Sequence, residues 1–178
     1  MMSRKSSGVV DWSQQSRGTA HWERTLWKKL EAGDFVLLRD NEQIPADIVV
    51  LATSHADSLA FVETKNLDGE TNLKIRKALK ATSAMQSEED LERAHFVIDS
   101  EPPHANLYSY NGVLKYWPAG GDAKHPSAGV PGEEKQEAIT INELLLRGCM
   151  IRNTKWVIGM VVFTGGDTKI MLNGGDTP

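Results

Sequence analysis

The apolar residues of this chain are gathered into runs no longer than a β-strand, and that limits what it can build. Ile48-Val49-Val50-Leu51-Ala52 and the stretch Val157 to Phe163 are the longest. Neither approaches the roughly 20 residues that a bilayer-spanning helix needs. Short apolar runs separated by Gly, Pro, Asn and Asp read as strands joined by turns.

Phe35 to Arg39 reads as a strand entered through Gly33-Asp34 and left through a turn at Asp40-Asn41-Glu42. Pro45, in Ile44-Pro45-Ala46-Asp47, would break a central strand, so a bend or sheet edge is expected there. Ile48 to Thr53 reads as a buried strand and Leu59 to Thr64 as a half-buried one. Leu73 to Leu79 fits either strand or helix. Phe96-Val97-Ile98 is a strand, Glu101-Pro102-Pro103-His104 a rigid turn, and Leu107 to Trp117 has hairpin character around Asn111-Gly112. Ala138 to Ile141, Leu144 to Ile151 and Trp156 to Phe163 read as three further strands.

Helices are short and marginal. The spacing of Trp22, Leu26, Trp27 and Leu30 predicts one over His21 to Leu30. Ser87 to Arg93 predicts another, with Ser87 as N-cap and acids in its first turn. Asp167 is expected to cap a last one, Thr168 to Asn173. There is no internal repeat. The expectation is an all-β domain, mainly β with short marginal helices, packed as a β-sandwich or distorted jelly roll.

Composition narrows the class. A chain of 178 residues fits one domain, and 40% apolar residues suffices for a core. Lys and Arg number 20 against 24 Asp and Glu, a net charge of −4, which argues against a nucleic-acid partner. The single cysteine, Cys149, cannot form an internal disulfide and points to a reducing compartment; its apolar surroundings make it a buried small hydrophobe. Residues 1–20 are polar and read as an N-terminal tail or linker, 21–173 as the domain, and 174–178 as a C-terminal linker. Within the domain, 118–135 is rich in Gly and Pro and reads as a disordered surface loop. No hydrophobic stretch follows Met1-Met2-Ser3-Arg4-Lys5, so no secretory signal is expected. The doubled Met and the stop at Thr177-Pro178 read as cut ends.

The chemistry is concentrated in Asp68-Gly69-Glu70-Thr71, on a short loop between two β-patterned stretches. A carboxylate held on a glycine turn can reach into a crowded phosphoryl centre and orient a water there. A free glutamate titrates near about 4.3, so Glu70 can accept a proton at neutral pH. Gly69 offers no side chain to collide with a phosphate's own ligands and permits backbone angles closed to other residues. Thr71 supplies a hydroxyl, and Asp68 can bind backbone N–H groups to fix the turn. Taken alone, the four residues also fit an ordinary acidic turn.

Other candidates read structurally. Gly165-Gly166-Asp167-Thr168-Lys169 lacks the order of a phosphate-binding loop and reads as a strand-to-helix turn. His21, His55, His95, His104 and His125 have no paired metal-ligand spacing. Arg147, Arg152 and Lys155 fit a solvated strand edge, with a phosphoryl-facing role as the second reading. Trp12, Trp22 and Trp27 either anchor near a bilayer or pack a short helix on the core.

Several separated strings resemble one family. Trp27-Lys28-Lys29-Leu30-Glu31-Ala32-Gly33-Asp34, Ile44-Pro45-Ala46-Asp47, the run Glu63 to Lys74, Leu145-Leu146-Arg147-Gly148-Cys149 with Arg152-Asn153-Thr154-Lys155-Trp156, and Phe163 to Asn173 are similar, in order, to the actuator domain of type-IV P-type ATPases, the phospholipid flippases. Thr64-Lys65-Asn66, Asn72-Leu73 and Thr164-Gly165-Gly166 look most like the fungal plasma-membrane and endosomal members. Gly174 departs from the serine commoner there.

The resemblance implies a distorted jelly roll on the cytosolic face of a plasma, endosomal or Golgi membrane. It implies that Glu70 positions and activates the water that hydrolyses an aspartyl phosphate, with Asp68, Gly69 and Thr71 shaping the loop. The partners it implies are the phosphorylation domain and membrane helices of the same polypeptide, an accessory subunit, and a phospholipid moved from the outer to the cytoplasmic leaflet. ATP and Mg2+ would belong to the full-length protein. This chain has no Asp-Lys-Thr-Gly string, nucleotide-binding segment or membrane helix, so it reads as one excised domain, inactive alone and without its own cofactor. The competing class is a non-catalytic β-sandwich interaction module.

Overall fold

Strand-length apolar runs here become strands. The computed structural model describes residues 2–4, 22–117 and 133–174. The strands are β1 (Met2–Arg4), β2 (Glu23–Arg24), β3 (Phe35–Arg39), β4 (Asp47–Thr53), β5 (Leu59–Glu63), β6 (Lys74–Lys77), β7 (Phe96–Ser100), β8 (Gly112–Tyr116), β9 (Lys135–Ile139), β10 (Leu144–Leu145), β11 (Met150–Arg152) and β12 (Trp156–Phe163). Among the described residues three short α-helices accompany them: α1 (Lys65–Asp68), α2 (Glu88–Arg93) and α3 (Lys169–Asn173). None of the described helices is long and apolar enough to cross a membrane.

All described pairings are antiparallel. One sheet runs β10–β4–β12–β3–β1–β2, a second β11–β5–β6 and a third β7–β8–β9. A single buried cluster joins them, taking Val36 and Ile158 from the first, Val62 and Ile151 from the second, and Leu114 and Ile139 from the third. The all-β expectation therefore holds.

Strand β4 lies between β10 and β12, and every one of its residues is buried. Its unbroken apolar run suits a strand covered on both faces. Strand β5 alternates buried and half-buried positions, as a half-covered strand must. Where β12 crosses β4 the register shifts between Ile158 and Gly159. A Cβ at Gly159 would stand 2.3 Å from Cγ2 of Ile48 and 2.7 Å from the Val49 carbonyl oxygen, so only glycine lets the two strands approach.

Several expectations need correcting. Met2–Arg4, read as tail, is strand β1, paired with β3 and β2; residues 5–21, including Trp12, lie outside the described residues. The helix expected over His21 to Leu30 shrinks to a 3-10 turn at Trp27–Lys29 after β2. Its apolar spacing is too short to sustain a helix against strand pairing. Asn111-Gly112 is not a hairpin turn: Gly112 opens β8, and Glu101 to Asn111 form the long β7–β8 connection. Leu144 to Ile151 is not one strand, because the chain turns at Gly148 (φ 92°) between β10 and β11. Ile141 belongs to a 3-10 turn rather than to β9. Strand β9 starts at Lys135, opposite Tyr116, within the stretch read as disordered; 118–132 lie outside the described residues. Asp167 sits in a 3-10 turn, and Thr168 occupies the N-cap of α3 without a side-chain capping bond. By contrast, Ser87 does cap α2, in a reciprocal capping box with Asp90.

Cys149 is 2% exposed at the turn between β10 and β11, and burial pushes its thiol up to about 12. Iodoacetamide at about pH 8 should leave the native chain unlabelled while labelling the urea-unfolded chain quickly, as read by mass spectrometry. The folded state holds the thiol proton more tightly than an unfolded chain with its ordinary value of 9.0. The resulting contribution to stability is whole below pH 9.0 and fades as pH rises to about 12, which an alkaline melting series would record.

Candidate functional site

The predicted loop is built around one turn of helix. Strand β5 ends at Glu63, Thr64 occupies the N-cap of α1, and Asp68 closes the turn through its N–H to the Thr64 carbonyl, 3.0 Å. Gly69 then adopts φ 74°, the left-handed conformation in which a side chain is strained. Among the described residues, no atom beyond its two chain neighbours lies within 4 Å of where its Cβ would stand, so the need for glycine there is conformational rather than steric.

Asp68 pins the backbone at the tip of the loop. Its Oδ1 accepts the Glu70 backbone N–H at 2.9 Å and the Thr64 hydroxyl at 3.0 Å. This is the turn-fixing bond expected of Asp68. Glu70 and Thr71 project outward and are exposed. The Glu70 carboxylate, 49% exposed, pairs with the Lys74 ammonium at the start of β6. A pair this open to water contributes little to stability.

The loop is braced from below. Asn66 donates through Nδ2 to the Gly148 carbonyl at 3.3 Å, tying α1 to the turn between β10 and β11. Arg152 on β11 reaches Glu63 at 3.3 Å and Oδ1 of Asn41 at 2.5 Å, so it serves the strand edge. Arg76 donates through Nε to the Leu144 carbonyl at 3.1 Å. A recess of about 160 Å³ opens beside the loop, between Leu67, Asp68, Lys74, Arg76, Tyr108 and Leu146. Tyr108, 71% exposed, arrives from the β7–β8 connection, a neighbour that local patterning cannot foresee.

A second constellation holds α3. Asp47 is fully buried; its Oδ1 accepts the Arg147 N–H at 3.0 Å and its Oδ2 the Lys169 N–H at 2.8 Å. Burial pushes its carboxyl up, opposed by those two bonds and the charges of Lys169 and Arg147. Lys169 is only 1% exposed. Its ammonium donates to the His104 carbonyl at 3.3 Å and faces His104 Nδ1 at 3.4 Å. That nitrogen already accepts the Asn106 N–H, so in the neutral ring Nε2 carries the proton given to Glu101 at 2.6 Å. Burial lowers the Lys169 ammonium, with Asp47 and Glu101 opposing.

His104 is thus more than a turn residue, and Lys169, expected only as part of a strand-to-helix turn, is a buried cation. Sequence signals existed for two omissions: Thr64 and Lys74 each stand four residues from an acid of the loop. Arg147 lies over the Trp27 ring at 5.9 Å and donates to the Gly165 carbonyl at 3.3 Å.

The P-type ATPase actuator domain family matches residues 13–101, which contain β2 to β7 and the entire acidic loop, and the chain belongs to that family. Among curated proteins, it is 49% identical over 172 residues to the phospholipid-transporting ATPase dnf2 of Schizosaccharomyces pombe, covering 96% of this chain and 12% of that protein. It is also 49% identical over 172 residues to the phospholipid-transporting ATPase DNF1 of Saccharomyces cerevisiae, covering 97% and 10%. With the phospholipid-transporting ATPase tat-1 of Caenorhabditis elegans the identity is 38% over 158 residues, covering 89% and 12%. The chain therefore spans about a tenth of the length of these relatives.

Proposed function

We propose that this chain is the actuator domain of a phospholipid-translocating P-type ATPase and that Glu70 drives hydrolysis of the aspartyl phosphate carried by another domain of the same polypeptide. The observation that carries the reading is an exposed carboxylate on a turn whose backbone is pinned by Asp68. The kinship to phospholipid-transporting ATPases supplies the context.

In this reading Glu70 accepts a hydrogen bond from a water placed in line with the acyl phosphate. As the water oxygen bonds to phosphorus, Glu70 takes its proton. The bond from phosphorus to the aspartyl oxygen breaks, and the aspartate leaves as carboxylate. Gly69 sets the approach, Asp68 holds the amide of Glu70, and Thr71 lies alongside the phosphate. Rotation of the domain passes to the membrane helices through its flanking segments, and lipid moves to the cytoplasmic leaflet.

ATP and Mg2+ act on the full-length protein. No group of three or more His, Cys, Asp or Glu among the described residues is placed to hold a metal ion. The domain would work on the cytosolic face of a plasma, endosomal or Golgi membrane, in a pump that carries an accessory subunit. The test is the lifetime of the phosphoenzyme formed from labelled ATP in the full-length Glu70→Gln pump. Decay at the wild-type rate would rule out the catalytic reading and leave the interaction module.

A further inference from the structure

The N-cap threonine of α1 does not cap. A threonine at such a position ordinarily accepts a backbone N–H from the first turn. Thr64 makes no such bond. Its hydroxyl instead donates to Oδ1 of Asp68 at 3.0 Å. The same oxygen takes the Glu70 N–H at 2.9 Å. One carboxylate oxygen thus joins the root of the loop to the amide of its tip. The root is rigid: Thr64 is 3% exposed at the end of β5, and its carbonyl accepts the N–H groups of both Leu67 and Asp68.

We propose that Thr64 is a positioning residue for Glu70, acting through Asp68; the inference rests on the catalytic reading of Glu70. Glu70 is exposed, and apart from its water-facing pairing with Lys74 its direction is set by its backbone, which Asp68 holds. Without the Thr64 hydroxyl the Asp68 carboxylate can rotate, and the Glu70 amide loses its fixed acceptor. The carboxylate at the tip then samples positions away from the line of attack. Small misplacements of a reacting group are costly even when their cause is remote from the chemistry.

The experiment uses the full-length pump. Thr64→Val keeps the shape and removes the hydroxyl; Thr64→Ser restores it. Thr64→Val should slow phosphoenzyme decay by about tenfold to a hundredfold, weaken inhibition by orthovanadate, and leave phosphorylation from ATP intact. Thr64→Ser should recover most of the rate. In an Asp68→Ala background Thr64→Val should add nothing, because the path through Asp68 is already cut.

A second check is the Glu70 amide proton of this chain by NMR. Its chemical shift should move both in Thr64→Val and in Asp68→Ala. Wild-type decay in Thr64→Val, failure of Thr64→Ser to rescue, additive effects with Asp68→Ala, or a Glu70 amide unmoved in either variant would each overturn the inference. If Thr64→Val behaves as wild type while Glu70→Gln retains its phosphate, only the role of Thr64 fails. Normal decay in Glu70→Gln sinks the reading beneath it.

Discussion

In the full-length pump, Glu70→Gln should leave the aspartyl phosphate decaying about a hundredfold to ten-thousandfold more slowly than in the wild type, the range a positioned general base contributes. Glutamine keeps the length and the hydrogen-bonding tip but cannot take the proton that attack releases. Phosphorylation from ATP should proceed, so the phosphorylated form accumulates and lipid transport stops. Stability should be nearly untouched. The Glu70 side chain is half exposed, and its pairing with Lys74 faces water. Acid-quenched phosphoenzyme and the melting temperature of this chain, measured side by side, separate lost chemistry from lost fold. Glu70→Asp should be intermediate, since it retains a base on a shorter arm.

Gly159→Ala should be the most damaging small substitution in the fold, costing about 3 kcal/mol or more, the upper range for overpacking a close-packed core. The added methyl would meet Cγ2 of Ile48 at 2.3 Å and the Val49 carbonyl oxygen at 2.7 Å. The first contact could ease by moving a side chain. The second is with backbone, so β12 and β4 would have to separate along an interior pair of the six-stranded sheet. Against a total stability of about 5–15 kcal/mol for an ordinary domain, the loss is a large fraction. Chemical denaturation of the two chains measures it. A midpoint within experimental error of the wild type would show that the strands do not approach this closely.

Much of the fold was legible because its signals are local. The β-branched run at Ile48 became β4, the stretch Trp156–Phe163 became β12 without change, and Ser87 capped α2. The loop was legible too, since an acid beside a glycine followed by an acid is a turn by its own chemistry. The failures share a cause. Leu144 to Ile151 has the apolar character of one strand, yet Leu144–Leu145 pair with β4 while Met150–Arg152 pair with β5, in different sheets. Asn111-Gly112 is a strong turn pair, but Gly112 lies opposite both Ser100 and Ile139 and is drawn into β8. Short apolar spacing around Trp22 could not hold a helix where strand pairing was on offer.

The residues alone determined the all-β class, the long strands β4 and β12 and the turn at Asp68-Gly69, because periodicity, turn preference and side-chain acidity act over a few neighbouring positions. Tertiary structure decided which carboxylates serve architecture and which face water. Asp47 and Glu70 are equally acidic in the sequence. Asp47 is sealed in by an amide 122 residues away, while Glu70 is lifted clear by a left-handed glycine and an aspartate two residues before it. Burial and partnership arise from segments distant along the chain.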